Sequence, residues 1–180
     1  MKATRLFLIS AVTCLLPCQA EDPVLEEKRI ESIKASLLVP AGWHMREDSE
    51  EGVTVTQITR EKVSGGNDSF LVGLTLSVTP DVPGRTQTKP SQYAADLLAF
   101  SVEDSGGKIL TTEAAPMKVL RTEYTVDADG GRMSIVDVAT ANDTTGTLYF
   151  LAWQCPESEV EALSALREKI IASLKFDPSF

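Results

Sequence analysis

Apolar and polar residues alternate along this chain with a period of two in some stretches and 3.6 in others, and those stretches outline its elements. After a polar lead-in from Glu21 to Glu31, compatible with a helix, Ile33, Ala35, Leu37 and Val39 alternate with Ser32, Lys34 and Ser36 and stop at Pro40-Ala41-Gly42-Trp43. That pattern predicts a strand closed by a turn. The β-branched run Val53-Thr54-Val55-Thr56-Gln57-Ile58 predicts a second strand. Asp68 then breaks the chain before Phe70, Val72, Leu74, Leu76 and Val78, which put five apolar side chains on one face with Gly73, Thr75 and Ser77 opposite. Pro80 to Lys89, with Pro83-Gly84, reads as loop.

Beyond it the period changes. Tyr93, Ala94, Leu97, Leu98 and Ser101 fall at helical spacing, Pro90 occupies the first turn where its missing N–H costs nothing, and Gly106-Gly107 ends the helix. A meander follows: Leu120 to Val126 is one strand, Asp129-Gly130-Gly131 turns it, Met133 to Ala139 returns, Asn142 to Gly146 turns again, and Thr147 to Trp153 completes the third. A last helix runs from Ser158, which forms a capping box with Glu161, to Leu174, with Val160, Leu163, Leu166, Ile170 and Leu174 as its apolar stripe. Glu157, Glu159 and Glu161 at its start and Lys169 and Lys175 near its end suit the helix dipole. Hairpins dominate and no βαβ series occurs, so the fold class is α+β with an antiparallel sheet flanked by helices.

These elements have a family likeness. A strand ending in Pro40-Ala41-Gly42-Trp43, a polar hairpin, the Phe70–Val78 strand, a helix opening Pro90-Ser91-Gln92-Tyr93, the three-strand meander and a closing helix ending Ile171-Ala172-Ser173-Leu174-Lys175-Phe176 resemble the PsbP-like superfamily. Its bacterial members include exported DcrB-like proteins. The resemblance covers Ser36 to Phe176 and rests on element order and one short turn motif. It implies an α/β/α sandwich with a central antiparallel sheet and a non-enzymatic role that differs from member to member, such as docking to a photosynthetic complex or a small GTPase. It carries no shared catalytic set.

The N-terminus changes the picture of where the domain works. Lys2 and Arg5 give a positive end, Leu6 to Leu16 an apolar run, and Pro17-Cys18-Gln19-Ala20 precede Glu21-Asp22, the three-part pattern of a secretory leader. The run of about eleven residues is well short of the roughly twenty that cross a bilayer. Residues 1–20 are therefore expected to be a signal peptide cleaved after Ala20, and residues 21–180 a single domain, periplasmic or extracellular. The rival is a lipoprotein signal acylated at Cys14 or Cys18, but Thr13 and Pro17 are poor substitutes for the small residue expected before such a cysteine.

Cleavage removes two positive charges and takes the formal net charge from −9 to −11. Such acidity opposes binding to nucleic acid and to anionic membranes and favours a basic partner. Cys155 is the one cysteine left after cleavage, so no intramolecular disulfide forms; it reads as a small buried hydrophobe.

Candidate chemistry is sparse. His44 is the one histidine, which rules out a Ser-His-Asp triad and a multi-histidine metal site; beside Trp43 it reads as a solvated loop residue. Asp127-Ala128-Asp129-Gly130 superficially fits a calcium loop, yet placing Asp127 at loop position 1 or 3 puts Val138 or Val136 where the bidentate glutamate belongs, and a hairpin turn is the better reading. Gly65-Gly66 and Gly130-Gly131 lack the strand-to-helix context of a phosphate cradle and read as turns. Asn67-Asp68-Ser69 and Asn142-Asp143-Thr144 match the glycosylation pattern but fall in predicted turns. The acidic run Glu47, Asp48, Glu50 and Glu51 reads as a solvated loop between two strands or, alternatively, a docking surface for a basic partner. Tyr149 and Trp153 share a strand face with Leu151, which implies core packing; Trp43 and Tyr93 are the other large amphipathic aromatics. No catalytic, cofactor or metal residue is singled out, and no cofactor is expected. Two functions remain: an exported, non-enzymatic accessory module that binds another protein, and a small-ligand carrier with an apolar pocket near Trp43 or Trp153.

Overall fold

The computed structural model describes residues 23–50, 52–64, 69–103, 105, 107–114, 117–128, 131–177 and 179, without the side chains of residues 50, 113 and 114. The expected leader with Cys14 and Cys18, and Glu51, Gly65, Gly66, Asn67, Asp68, Gly106, Asp129 and Gly130, lie outside the described residues.

The elements are β1 (Leu25–Ile30), β2 (Ala35–Pro40), β3 (His44–Glu50), β4 (Val53–Thr59), β5 (Gly73–Thr79), α1 (Val82–Thr86), α2 (Pro90–Val102), β6 (Leu110–Ala114), β7 (Met117–Ala128), β8 (Gly131–Asn142), β9 (Thr147–Pro156), α3 (Val160–Ser173) and β10 (Lys175–Phe176). Among the described residues the strands form a smaller sheet, β1-β2-β10, and a larger one, β3-β4-β5-β9-β8-β7-β6, antiparallel throughout.

Register decides which layer each side chain joins. Leu74, Leu76 and Val78 of β5 lie opposite Trp153, Leu151 and Tyr149 of β9. With Val136 and Val138 they make the main core, closed by Ala35, Leu37 and Val39 of β2 and by Ile170 of α3. On the opposite face Leu120, Ala139, Ala141 and Leu148 pack under Ala94 and Leu98 of α2 and Val82 of α1. Helix, sheet, then helix with the smaller sheet is the α/β/α order that the PsbP-like resemblance implies. The five-residue stripe Phe70, Val72, Leu74, Leu76 and Val78 is buried along its length, none above 9% exposed.

Four expectations need correcting. The polar lead-in is no helix: Leu25–Ile30 is β1, paired along all of β2, and its charges sit at positions where an edge strand meets solvent. Pro80 to Lys89 contains a short helix, α1, because the Asp81 carboxylate accepts from the Gly84 N–H at 3.2 Å and Pro83 suits the first turn. Ser158 caps nothing; Glu157–Glu159 forms a 3₁₀ turn and α3 starts at Val160 with no side-chain cap bond. Lys175–Phe176 pairs with β2 as β10 just after the closing helix ends. Leu110–Ala114 also adds a strand, β6, that the periodicity does not announce.

Candidate functional site

The sequence His44-Met-Arg-Glu-Asp-Ser-Glu50 has little intrinsic taste for a strand. It becomes one because β4, rich in Val and Thr, offers a complete ladder: His44 pairs with Thr59 and the register runs unbroken to Glu50 opposite Val53. Gly52 makes the return possible at φ 75°, the left-handed region in which a side chain is strained. The acidic run is thus no loop, and His44 is no loop residue: both belong to β3, and they are the polar hairpin partner of β4.

In the larger sheet β3 is hydrogen-bonded to β4 alone, so its outer row of N–H and C=O groups meets no further strand among the described residues. Such an edge is a template for a further strand unless charge or cover protects it. Alternation sends Met45, Glu47 and Ser49 to the core side, opposite Ile58, Thr56 and Thr54, and His44, Arg46 and Asp48 to the other side, opposite Thr59, Gln57 and Val55. Glu47 accepts a short hydrogen bond from Ser32 Oγ, which ties the edge to the turn between β1 and β2. Asp48 accepts from the Ser49 N–H at 2.9 Å and lies 3.5 Å from Arg46 Nη2. Both carboxylates are exposed.

Trp43, just before the strand, stacks on Trp153 with ring centroids 5.9 Å apart. Trp153 is fully buried, and Tyr149 on the same face stacks on Phe176 at 3.8 Å. The place expected to hold a carrier's pocket is therefore filled by rings. Cys155 is 1% exposed and burial pushes its thiol up, as its reading as a buried small hydrophobe requires.

A second concavity, an open groove of about 570 Å³, lies where β7 outruns β6, between the β7–β8 hairpin and the start of α3. Glu123, Glu157, Glu161, Tyr124, Ser134 and Val160 line it. Glu123 is engaged by Arg167 Nη1 at 3.1 Å. Close by, Asp137 is buried on the α2 side of the sheet, where the Tyr124 hydroxyl donates to it at 3.0 Å. Burial raises the Asp137 carboxyl, and burial together with Asp137 pushes Tyr124 up to about 12.

The other sequence candidates stay apart. Asp127 is exposed and pairs with Arg132 at 3.7 Å, while β7 and β8 stay in register to Ala128 opposite Gly131, so the segment is a hairpin. Asn142 is 1% exposed, its side-chain oxygen accepting from the Thr144 and Thr145 N–H groups, a turn-holding role. Among the described residues no group of three or more His, Cys, Asp or Glu is placed to hold a metal ion, and no helix is long and apolar enough to cross a membrane.

The sequence matches no family model and no curated protein. Solved structures do match. The cyanobacterial PsbP protein CyanoP of Synechocystis superposes with a TM-score of 0.57 at 13% identity over 91% of this chain and 99% of its own. The Ran-binding protein Mog1p of Saccharomyces cerevisiae superposes with a TM-score of 0.50 at 10% identity over 86% of this chain and 96% of its own. At such identities the likeness shows the fold, and the chain has a PsbP-like α+β fold.

Proposed function

We propose that this chain is exported after loss of residues 1–20, in the manner its resemblance to DcrB-like proteins implies, and serves as an accessory module that binds another protein without turning over a substrate. The observation that carries the reading is that Glu47, Asp48 and Glu50 lie on the unpaired edge strand of the larger sheet. An extended segment of a partner can add to β3 by main-chain hydrogen bonds, and alternate side chains then read the charges on either face. A chain of net charge −9 favours a basic segment. That Mog1p, of similar fold, is a Ran-binding protein agrees with a protein partner.

Capture from the export compartment tests this. The wild type should retain a partner that Glu47→Gln/Asp48→Asn/Glu50→Gln loses, with an unchanged circular dichroism spectrum. Association should also weaken as salt rises from about 0.05 to 0.5 M, because the Debye length falls from roughly 14 to 4 Å. Equal capture by both proteins refutes the edge assignment. Co-purification of a small molecule in place of a protein supports the carrier reading, for which the groove beside Val160 supplies the space. N-terminal sequencing should find Glu21 first; an acylated Cys14 or Cys18 overturns export as a free protein.

A further inference from the structure

The groove beside α3 lies towards the edge of the larger sheet opposite β3, so its chemistry is independent of the docking edge. Register builds its floor. Glu123 of β7 stands opposite Val136, and Thr125 opposite Ser134 of β8, so Glu123, Thr125 and Ser134 all point to the α3 side, where Glu157, Val160 and Glu161 form the wall. Two groups there lack what their chemistry asks for. Ser134 is 3% exposed and its hydroxyl has no hydrogen-bond partner among the described residues. Unlike the enclosed hydroxyls of Thr56 and Thr122, it opens onto the groove. Glu161, exposed in the first turn of α3, has no ion-pair partner among the described residues. A buried hydroxyl without a partner is unfavourable, and beside carboxylates the group that satisfies its oxygen is an N–H donor.

The nearby arginines do not supply it. Arg167 is held by Glu123 at 3.1 Å and Glu168 at 3.0 Å, and Arg121 by Glu168 at 2.7 Å. Arg132 donates to Thr125 Oγ1 at 2.7 Å and stands 3.4 Å from Glu157 and 3.7 Å from Asp127. Five carboxylates around the groove, those of residues 123, 127, 157, 161 and 168, therefore face three guanidinium groups, which leaves two negative charges. One remains even when Lys108, next to Gly107, is set against them. An anion would meet these carboxylates, and among the described residues no three or more of them are placed to hold one metal ion. The volume of about 570 Å³ falls in the range of about 300–1,000 Å³ that takes a small molecule. An aliphatic ammonium fits on each count: its N–H groups suit both Ser134 and the carboxylates, its charge matches the surplus, and its methylenes suit Val160.

We propose that this groove is a binding site for aliphatic ammonium groups, in which Ser134 Oγ and the carboxylates of Glu157 and Glu161 accept from the ligand's N–H groups and Val160 packs on its methylenes. A free small amine and a partner's lysine side chain each present that chemistry.

The test uses the ¹⁵N-labelled full chain, titrated at pH 7 and constant ionic strength with 1,4-diaminobutane, a lysine-containing tripeptide blocked at both ends, 1-butanol, magnesium chloride and sodium acetate. The diamine should cause saturable amide shifts confined to Gly107, Glu123–Thr125, Ser134 and Glu157–Glu161. Ser134→Ala should weaken it about tenfold, as the loss of a hydrogen bond to a charged group does, and should melt no lower than wild type because the hydroxyl has no partner in the fold to lose. The exposed Glu161→Gln should weaken it about threefold, while Glu27→Gln, which removes the same charge on β1, changes nothing. Tighter binding of the diamine than of the peptide makes a free amine the source, and the reverse makes it a partner's lysine; both uphold the site. Shifts from butanol or magnesium equal to those of the diamine, wild-type affinity in Ser134→Ala or in Glu161→Gln, or acetate binding tighter than the diamine overturns the proposal.

Discussion

Among the described residues Arg167 is the arginine held deepest, 7% exposed, and what neutralises it can be measured. From α3 it donates Nε to Glu168 at 3.0 Å and Nη1 to Glu123 at 3.1 Å. Glu168 is gripped from the sheet as well, since Arg121 of β7 donates both Nη groups to its two oxygens at 2.8 and 2.7 Å. The hydrogen bonds from Arg121, with help from both guanidinium charges and from Arg167's own bond, hold the Glu168 carboxyl down to about 2, against an ordinary 4.5. Taken at face value that difference is about 3.4 kcal/mol, at about 1.36 per unit. The Glu168 side chain is 48% exposed, however, so solvent screening reduces its share to about 1 kcal/mol.

Glu168→Gln also leaves Arg167 with Glu123 as its one ion-pair partner among the described residues, and a cost of about 1–2 kcal/mol at pH 7 is expected. A folded value below the unfolded one means that the contribution is complete above the unfolded value and is lost as pH falls towards 2, so that less than half of it should remain at pH 3. Urea unfolding of wild type and variant at pH 7 and pH 3 reads the difference as a shift in midpoint at constant slope. A cost as large at pH 3 as at pH 7, or none at pH 7, refutes the account.

Three further outcomes follow from the packing. Trp153→Ala should cost about 3–5 kcal/mol in urea unfolding and shift the emission of Trp43, which loses its stacking partner. Gly73→Ala should cost about 1–3 kcal/mol, because its new Cβ sits 2.5 Å from the Ile58 carbonyl oxygen and 2.8 Å from Thr59 Cα, both backbone atoms that cannot swing aside. Asp137→Asn should stabilise the fold at pH 7: burial raises the aspartate, so the stability tied to its protonation is complete below 3.8 and lost as pH rises through the folded value, and the asparagine oxygen still accepts from Tyr124. That advantage should shrink in melts below pH 4, and a variant less stable than wild type at pH 7 argues against it.

What the sequence made legible and what it hid divide along one physical line. The β5 stripe could be read because it lies opposite Trp153, Leu151 and Tyr149 of β9 and under an apolar layer, so burial imprints a period of two on the residues. The stripes of α2 and α3 were readable for the same reason at period 3.6. The four strands that the pattern did not announce, β1, β3, β6 and β10, are all edges, β1 and β10 of the smaller sheet and β3 and β6 of the larger. A strand with a ladder on one side and solvent on the other takes its conformation from its neighbour, and its side chains need not alternate. The acidic run could accordingly be seen, but not that it lies along an edge.

Charge on an exposed edge has two physical consequences, and on β3 they point the same way. Carboxylates at Glu47, Asp48 and Glu50 discourage two copies of this chain from joining edge to edge, because pairing two β3 strands brings like charges together and adds to the repulsion of two bodies of net charge −9. The same carboxylates suit a strand of opposite charge, since no further strand pairs with that row among the described residues. Protection from self-association and selection of a basic partner are thus one arrangement. They separate in a single measurement: if the charges served only to protect, Glu47→Gln/Asp48→Asn/Glu50→Gln would dimerise in sedimentation and lose no partner, whereas a docking edge loses its partner at protein concentrations where it is still monomeric.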